Sequence, residues 1–263
     1  MTVNYMDSKP IFAIGTLKEF PQFKDYTSEF MNNAWPTFFG RFTGDEELYS
    51  ILYTEWIEYQ VVCFDPSKNK PLGYGFVVPI HYDGNLDKLP DGWNNAILQA
   101  LDDYSSKKNP TALNGMAIIV DPDAQKQGIS LEIIKKITDI CRQHNFHSFI
   151  VNVRPILKHQ YPLIPLEKYA HWTIPTGEPF DPWIRTHVRA GGEIAHVSSD
   201  AVVIKGTIDQ WQTWTGLSFQ DSGEYIVKGA LVPITIDLEN NIGIYREPNI
   251  WIIHTINPNS TSS

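Results

Sequence analysis

The fold is decided by the stretch GMAIIVDPDAQKQGIS, which spans residues 115–130. Residues 115–120 are almost entirely apolar and end in β-branched side chains, which is typical of a buried strand. A polar turn follows and ends at Gly128. Beyond it the apolar residues recur every three or four positions, which predicts an amphipathic helix over 130–144. The apolar face of that helix consists of Ile133, Ile134, Ile137, Ile140 and Cys141.

The turn between this strand and this helix has the chemistry of an anion site. The first N–H groups of a helix have no partner within the helix and point toward whatever lies in front of it. Gly128 has no Cβ, so a ligand can approach the main chain there, and the small Ser130 keeps the next turn open. Lys126 adds a positive charge. A pyrophosphate fits this environment.

The same turn carries a family resemblance. Its spacing, V-x-P-x-x-R/Q-x-x-G followed by an aliphatic and a small residue, resembles the acyl-CoA signature of the GNAT N-acetyltransferase superfamily. Here the pattern departs mildly, with Gln125 in place of the commoner Arg and Ser130 in place of Gly or Ala. The resemblance implies acetyl-CoA or another acyl-CoA as co-substrate. The residues expected to bind it are Ile118, Val120, Gln125, Lys126, Gln127, Gly128, Ile129 and Ser130.

Calcium is the competing interpretation of this turn. Five residues take the ligand spacing of a calcium-binding helix–loop–helix: Asp121, Asp123, Gln125, Gln127 and Glu132. Such a loop needs Gly at its sixth position, where this chain has Lys126, and it is entered from a helix rather than a strand. His144 and His147 lack a nearby carboxylate pair. No metal is therefore expected.

Composition points to a globular protein with a small-molecule partner. The chain has 263 residues, 42% of them hydrophobic, which is enough for a core. A formal charge of −9 disfavours nucleic acid and anionic membrane as partners. We expect a cytoplasmic protein because no secretory segment or membrane-length apolar run is evident. Cys63 and Cys141 are expected to be buried free thiols.

The order of predicted elements resembles the GNAT core. That fold is an α/β (α+β) architecture, in which a mixed sheet with helices on both faces splays between its fourth and fifth strands. Strands are predicted at 11–14, 56–64, 72–81, 115–120 and 148–153. Helical segments are predicted at 20–39, 46–53, 93–104 and 130–144.

Beyond residue 153 the chain is larger than a minimal GNAT core. We predict an inserted loop, a helix over 182–190, strands at 193–197 and 201–205, and a C-terminal hairpin of 225–237 and 242–254. The whole chain, 1–263, is predicted to be a single GNAT-like domain with a core over about 10–206. An extension over about 207–256 and a disordered tail over 257–263 complete it. Blocks beginning at Arg154, Pro179, Trp214, Leu231 and Glu247 resemble those of larger GNAT-related proteins.

The resemblance implies acyl transfer by direct attack of a small-molecule amine on the thioester, with a general base and a general acid nearby. The family's usual Tyr after the fifth strand corresponds to Tyr161. A rival alignment on the stop signal at Gly191 and Gly192 brings His187 into that role. The base is open between Glu58, His81 and, through water, Asn152. The alternative function is a GNAT-fold CoA-binding or acyl-binding sensor without turnover, and a homodimer is left open.

Overall fold

The structure is a computed structural model and describes residues 12–32, 35–39 and 46–257. Ile11 of the predicted first strand, residues 33–34 and the predicted tail beyond Asn257 lie outside these ranges. Within the described residues, nine strands form one mixed sheet. They are β1 Ala13–Thr16, β2 Val61–Asp65, β3 Lys70–Ile80, β4 Ala112–Val120, β5 Ser148–Val153, β6 Glu193–Gly206, β7 Gly223–Tyr225, β8 Ile234–Asp237 and β9 Ile242–Thr255.

Helices cover both faces of this sheet, as predicted. They are α1 Thr27–Asn32, α2 Glu46–Leu52, α3 Gly92–Ser105, α4 Ile129–Gln143, α5 Leu166–Tyr169, α6 Pro182–Arg189 and α7 Ile208–Thr215. The predicted apolar face of α4 is fully buried, and Ile184 of α6 packs into the same core cluster. On the opposite face, α3 packs with Trp93 and Ala96 beside Ile150 and Trp251 of the sheet.

The splay of the sheet lies between β4 and β5. These two strands pair in parallel from Ala112 opposite Ser148 to Gly115 opposite Val151, and the pairing stops there. Strand β4 continues to Val120, paired only with β3. A register shift opposite Met116 marks a bulge in β4 just past the last parallel pair. The edge of β4 from Met116 to Val120 therefore has no neighbour among the nine described strands.

Strand β9 holds the C-terminal half of the sheet together. One edge of β9 pairs with β6 along nearly its whole length. The other edge pairs with β5 from Ile250 to Thr255 and with β8 from Ile242 to Ile244. The predicted hairpin is thus present as β8 and β9, although β8 covers only Ile234–Asp237 of the predicted 225–237. Its second strand also pairs directly with the fifth strand. Between the two pairings, residues 245–249 of β9 face neither β5 nor β8.

Several predicted boundaries differ from the structure, most clearly those of β2 and β6. Residues 56–60 form turns, so β2 begins at Val61 rather than at residue 56. The two strands predicted at 193–197 and 201–205 are one strand, β6, with an irregularity between Ser198 and Val202. Gly92 explains this irregularity, because a Cβ there would lie 2.3 Å from Ala201 Cα. The start of α3 presses on β6 at that point, and the strand bends without ending.

The inserted loop after β5 is tied down by two buried polar side chains. Lys158 is fully buried, and its Nζ donates to the carbonyls of Tyr161 (2.8 Å) and Leu231 (2.7 Å). Burial lowers the pKa of this lysine to about 8. Asp181 caps α6 through the N–H of Trp183 and also accepts from Leu157 N and the Tyr169 hydroxyl. These bonds fix the path of the loop.

Candidate active site

A cleft of about 1330 Å³ opens where β4 and β5 part. Its walls come from both faces of the sheet. On the α4 side it is lined by the first residues of α4 and by Trp183, Thr186 and Arg189 of α6. On the α3 side it is lined by Phe30 and Trp93, together with residues of β6 and β9. The cleft therefore runs through the sheet and has two ends.

The end near α4 is lined by main-chain donors. Lys126 (φ 64°) and Gly128 (φ 83°) both take left-handed conformations, and Gly128 is the N-cap of α4. The N–H groups of residues 126–130 make no hydrogen bond to any described residue. A Cβ added at Gly128 would meet nothing within 4 Å, so the space in front of this loop is open. Successive free donors around an open space suit an anion such as a pyrophosphate.

We call residues 116–130 the donor loop. Seven of the eight residues predicted to bind the acyl-CoA line the cleft: Ile118, Val120, Gln125, Lys126, Gly128, Ile129 and Ser130. Gln127 is the exception, and its side-chain amide reaches back to the carbonyl of Asp123 at 3.5 Å. The carboxylate of Asp121 is bound to Lys70 at 2.8 Å.

The two residues predicted as general acid lie away from the cleft lining. The Tyr161 ring packs among Tyr169, Trp172 and Phe180, with centroid distances of 5.0–6.0 Å. His187 is fully buried, and its Nδ1 lies 3.0 Å from Nε2 of His254. Burial holds the pKa of His187 well below its usual range. The structure does not bring these two side chains together, and their catalytic role stays a prediction.

Of the three candidate bases, Asn152 lines the cleft. Glu58 forms an ion pair with Lys18 at 2.6 Å, and His81 lies 3.0 Å from the carbonyl of Asn109. Neither of these two contributes to the cleft wall. Asn152 is 6% exposed, and neither its Nδ2 nor its Oδ1 has a hydrogen-bond partner among the residues that the structure describes.

Sequence reasoning missed a buried ion pair in the cleft wall. Arg154, at the end of β5, directs its Nε at both carboxylate oxygens of Glu247 at 2.9 Å and its Nη2 at the carbonyl of Gly229 at 2.6 Å. Tyr245 donates its hydroxyl to Glu247 at 2.6 Å. Arg154 and Glu247 each begin one of the sequence blocks noted above, which was the available signal. Their distance of 93 residues along the chain hid the pairing.

The charge state of this pair is set by opposing effects. Glu247 is fully buried, and loss of hydration raises the pKa of its carboxyl. The Arg154 guanidinium and the Tyr245 hydroxyl act in the opposite direction by stabilising the carboxylate. The Nε contact with both oxygens of Glu247 and the Nη2 contact with the Gly229 carbonyl together hold the Arg154 guanidinium in one orientation.

A second missed residue is Glu29, on α1. It lines the α3 side of the cleft, it is exposed, and it makes no hydrogen bond to another described residue. The other carboxylates in the cleft wall, Asp121 and Glu247, are each bound to a cation. Nothing in the local sequence around Glu29 distinguishes it from a surface residue.

The described residues contain neither a metal-ligating cluster nor a membrane-spanning helix. No group of three or more His, Cys, Asp or Glu side chains there is arranged to hold a metal ion. None of the described helices combines the length and the apolar character that crossing a bilayer requires.

Comparison with known proteins gives one curated relative and many structural neighbours. No family model matches the chain. The arginine N-acetyltransferase avaD of Aspergillus versicolor is 28% identical over 253 residues, which covers 86% of this chain and 87% of that protein.

Among solved structures, the loading GNATL domain of CurA from Lyngbya majuscula matches with a TM-score of 0.59 at 13% identity, covering 94% of this chain and 98% of that domain. The GphF GNAT-like decarboxylase in complex with isobutyryl-CoA matches with a TM-score of 0.56 at 14% identity, covering 94% and 100%. These neighbours show the fold. Together, the acyl-CoA signature, the splayed sheet and the avaD relative make this chain similar, in fold and in sequence, to N-acetyltransferases of the GNAT superfamily.

Proposed function

We propose that this protein transfers an acetyl or short acyl group from an acyl-CoA to the amine of a small molecule, with a free basic amino acid such as arginine as the first acceptor to test. The observation that carries the proposal is a cleft that crosses the sheet, with main-chain donors at one end and polar side chains at the other. Donor and acceptor would enter from opposite ends and meet where β4 and β5 part. The relative avaD is named for arginine, which motivates the choice of acceptor.

The donor would be held mainly by main chain. The N–H groups of residues 126–130 suit its pyrophosphate, and the side chain of Lys126 adds a charge. The free edge of β4 offers backbone donors and acceptors to the pantetheine amides, as an added strand would. Ile118 and Val120 lie on this edge and line the cleft.

The reaction is a direct displacement. The amine nitrogen attacks the thioester carbon, the C–N bond forms, the C–S bond breaks, and CoA leaves as a thiolate that takes up a proton. The amine must lose one proton to a base. We propose Glu29 for that base, acting through water, because it is an exposed carboxylate of the cleft wall and forms no ion pair within 4 Å with another described residue. The acids that the family resemblance implies, Tyr161 and His187, do not line the cleft, and we propose that the leaving thiolate takes its proton from water.

Release of free CoA thiol tests this function. Acetyl-CoA is first titrated into the protein by calorimetry, and thiol release is then followed with a panel of amines that includes arginine. We expect binding and turnover with at least one amine. Glu29→Gln should lower kcat about 10² to 10⁴-fold below pH 8 without changing acetyl-CoA affinity, while Glu55→Gln serves as a matched control outside the cleft wall. Absence of acetyl-CoA binding would contradict the proposal.

A second candidate function is a binding protein or sensor that holds an acyl-CoA without turnover. The observation in its favour is that neither Tyr161 nor His187 lines the cleft. The same assay separates the two functions. A sensor binds acetyl-CoA and releases no thiol with any amine, whereas an acyltransferase releases thiol in proportion to the acetylated amine formed.

A further inference from the structure

Four polar residues form a row on the α3 face of the sheet, at the end of the cleft opposite the donor loop. Asn152 and Arg154 are two residues apart on β5, and Glu247 and Asn249 are two apart on β9. The register places Asn152 opposite Trp251, so Asn249 is its diagonal neighbour on the same face. All four line the cleft. We call this set the polar row.

The polar row holds hydrogen-bonding capacity that no described residue uses. Asn152 is 6% exposed and Asn249 is 3% exposed. Both side-chain polar atoms of Asn152 and the Oδ1 of Asn249 lack a partner. The Nη1 of Arg154 makes no hydrogen bond to a described residue, although its Nε and Nη2 are both engaged. Buried polar groups are rarely left unpaired, because each costs stability unless a ligand or water satisfies it.

The unused groups match one class of small molecule. Arg154 Nη1 and Asn152 Nδ2 are donors, and they suit a carboxylate. The Oδ1 atoms of Asn152 and Asn249 are acceptors, and they suit an ammonium group or the amine derived from it. A carboxylate and an amine one carbon apart are the two ends that every free α-amino acid presents.

We infer that the polar row binds the α-carboxylate and α-amine of a free amino acid, and that this α-amine is the group acylated. The inference rests on the proposed function and narrows its acceptor. Glu247 acts as a positioning residue, because its carboxylate accepts from Nε of Arg154 while the Gly229 carbonyl accepts from Nη2, and the two contacts together orient the guanidinium. Simple amines that lack the carboxylate would leave Arg154 and Asn152 unpaired and would be rejected.

The wall beyond the polar row suits a long cationic side chain. Its aromatic members are Phe30, Trp35, Phe39 and Trp93. Phe39 already receives a guanidinium, since the Arg154 Cζ lies 5.4 Å from its ring centroid. Glu29, next to Phe30 on α1, adds an exposed carboxylate to the cleft wall. An arginine or lysine side chain would lie along rings and end near a negative charge.

Binding to the complex of the protein with CoA tests the inference without requiring turnover. Free amino acids, arginine and lysine among them, are titrated by calorimetry beside agmatine, which is arginine without its carboxylate. We expect arginine to bind about 10- to 100-fold more tightly than agmatine, because agmatine forfeits a charge-assisted contact. The inference is overturned if no free amino acid binds more tightly than its decarboxylated counterpart.

A matched pair of variants separates recognition from packing. Asn152→Leu removes the unpaired amide and keeps the volume, so we expect arginine affinity to fall about tenfold while Tm rises about 2–4 °C. Asn114→Leu is the control, because Asn114 is equally buried on the same face of the neighbouring strand and does not line the cleft. It should leave arginine affinity unchanged. A merely structural Asn152 would show a change in Tm with no change in affinity.

Arg154→Lys sharpens the test. Lysine keeps a charge beside Glu247 but has no Nη1, so discrimination between arginine and agmatine should fall toward twofold while acetyl-CoA affinity is kept. Unaltered discrimination in this variant would overturn the role of Arg154. A different result would contradict the proposed function, namely that acetyl-CoA binds but no amine causes thiol release. In that case the measured affinities for arginine and agmatine still show what the polar row recognises.

Discussion

The donor loop and the polar row line the same cleft and are built in opposite ways. The donor loop is one continuous segment, and its binding groups are backbone N–H groups set by the conformations of Lys126 and Gly128. The polar row uses side chains from β5 and β9, about a hundred residues apart along the chain. A site made of main chain depends little on the identity of the surrounding side chains. A site made of side chains depends on the identity of each residue and on the sheet register that brings those residues together.

The strongest test of how the two sides are joined is acidification. His187 on α6 and His254 on β9 link the donor side of the cleft to the strand that carries the polar row. Burial lowers the pKa of His254 to about 4 and that of His187 as well. Because the folded-state pKa is depressed, the neutral histidine is favoured in the folded protein. The free energy of unfolding is therefore at its full value above pH 6.5, and it decreases as pH falls from 6.5 toward 4. We expect a loss of about 3 kcal/mol in urea unfolding between pH 7 and pH 4.

His254→Gln provides the comparison for that experiment. Glutamine can still hydrogen-bond with Nδ1 of His187 but does not titrate. The variant should lose less stability than the wild type over the same pH range. Equal losses would show that other groups, and not this histidine pair, govern the acid sensitivity.

The next largest effect is expected on the polar row. Arg154→Met leaves Glu247 buried without its cation, and removal of one partner from a buried pair costs about 3 kcal/mol. Glu247 would then have an even higher pKa in the folded state, so the protonated form is favoured. The loss of stability caused by Arg154→Met should be small below pH 4.5, the unfolded-state pKa of a glutamate, and should grow as pH rises. Thermal unfolding at pH 5 and pH 8 measures this difference.

The double variant Arg154→Met with Glu247→Gln closes the cycle. It removes both charges, so its stability should vary little between pH 5 and pH 8. If Arg154→Met is instead equally stable at the two pH values, the buried pair contributes no pH-dependent stability. The polar row would then depend less on its charged side chains than the comparison with the main-chain donor loop suggests.

On the donor side, Gly128→Glu should weaken acetyl-CoA binding about 100-fold. The substitution adds a Cβ at φ 83° and places a carboxylate where the pyrophosphate is expected. Gly84→Glu is the matched control, because Gly84 has φ 85°, an equally open Cβ position and no place in the cleft wall. Calorimetric titration of acetyl-CoA reads both variants. Unchanged affinity in Gly128→Glu would remove the donor loop from the site.

The smallest effect is expected at Tyr161. Its ring packs against Trp172 and Phe180 and is absent from the cleft wall. Tyr161→Phe keeps the ring, so we expect kcat for thiol release to change less than about threefold. A fall of a hundredfold or more would instead establish the hydroxyl as the catalytic acid that the family resemblance implies.

The sequence predicted the elements whose signals are local. The 3.6-residue period of Ile133, Ile137 and Cys141 located α4, and the apolar run 148–153 located β5 with its observed bounds. Strand β6 was predicted as two strands, because the polar residues 198–200 look like a break. In the structure they form a bulge against Gly92, a contact between segments far apart in sequence.

In the candidate site, too, the parts with local sequence signals were predictable and the parts that depend on long-range contacts were not. The donor loop could be predicted because its residues are contiguous and their backbone conformations follow from Gly128 and its neighbours. Glu29, Asn249 and the Arg154 to Glu247 pair could not, because β9 joins β5 only in the folded sheet. Asn152 was named as a candidate base, and its unpaired amide points to ligand binding only once its burial is known.

The placement of β9 has a consequence for biosynthesis. β9 is the last described strand in chain order, and it pairs with β5 and carries Glu247 and Asn249. The β4 to α4 unit can form soon after it leaves the ribosome, whereas half of the polar row has to wait for β9. A nascent chain stalled before residue 242 would expose the unpaired edge of β5, so translation pauses upstream of that point would favour aggregation.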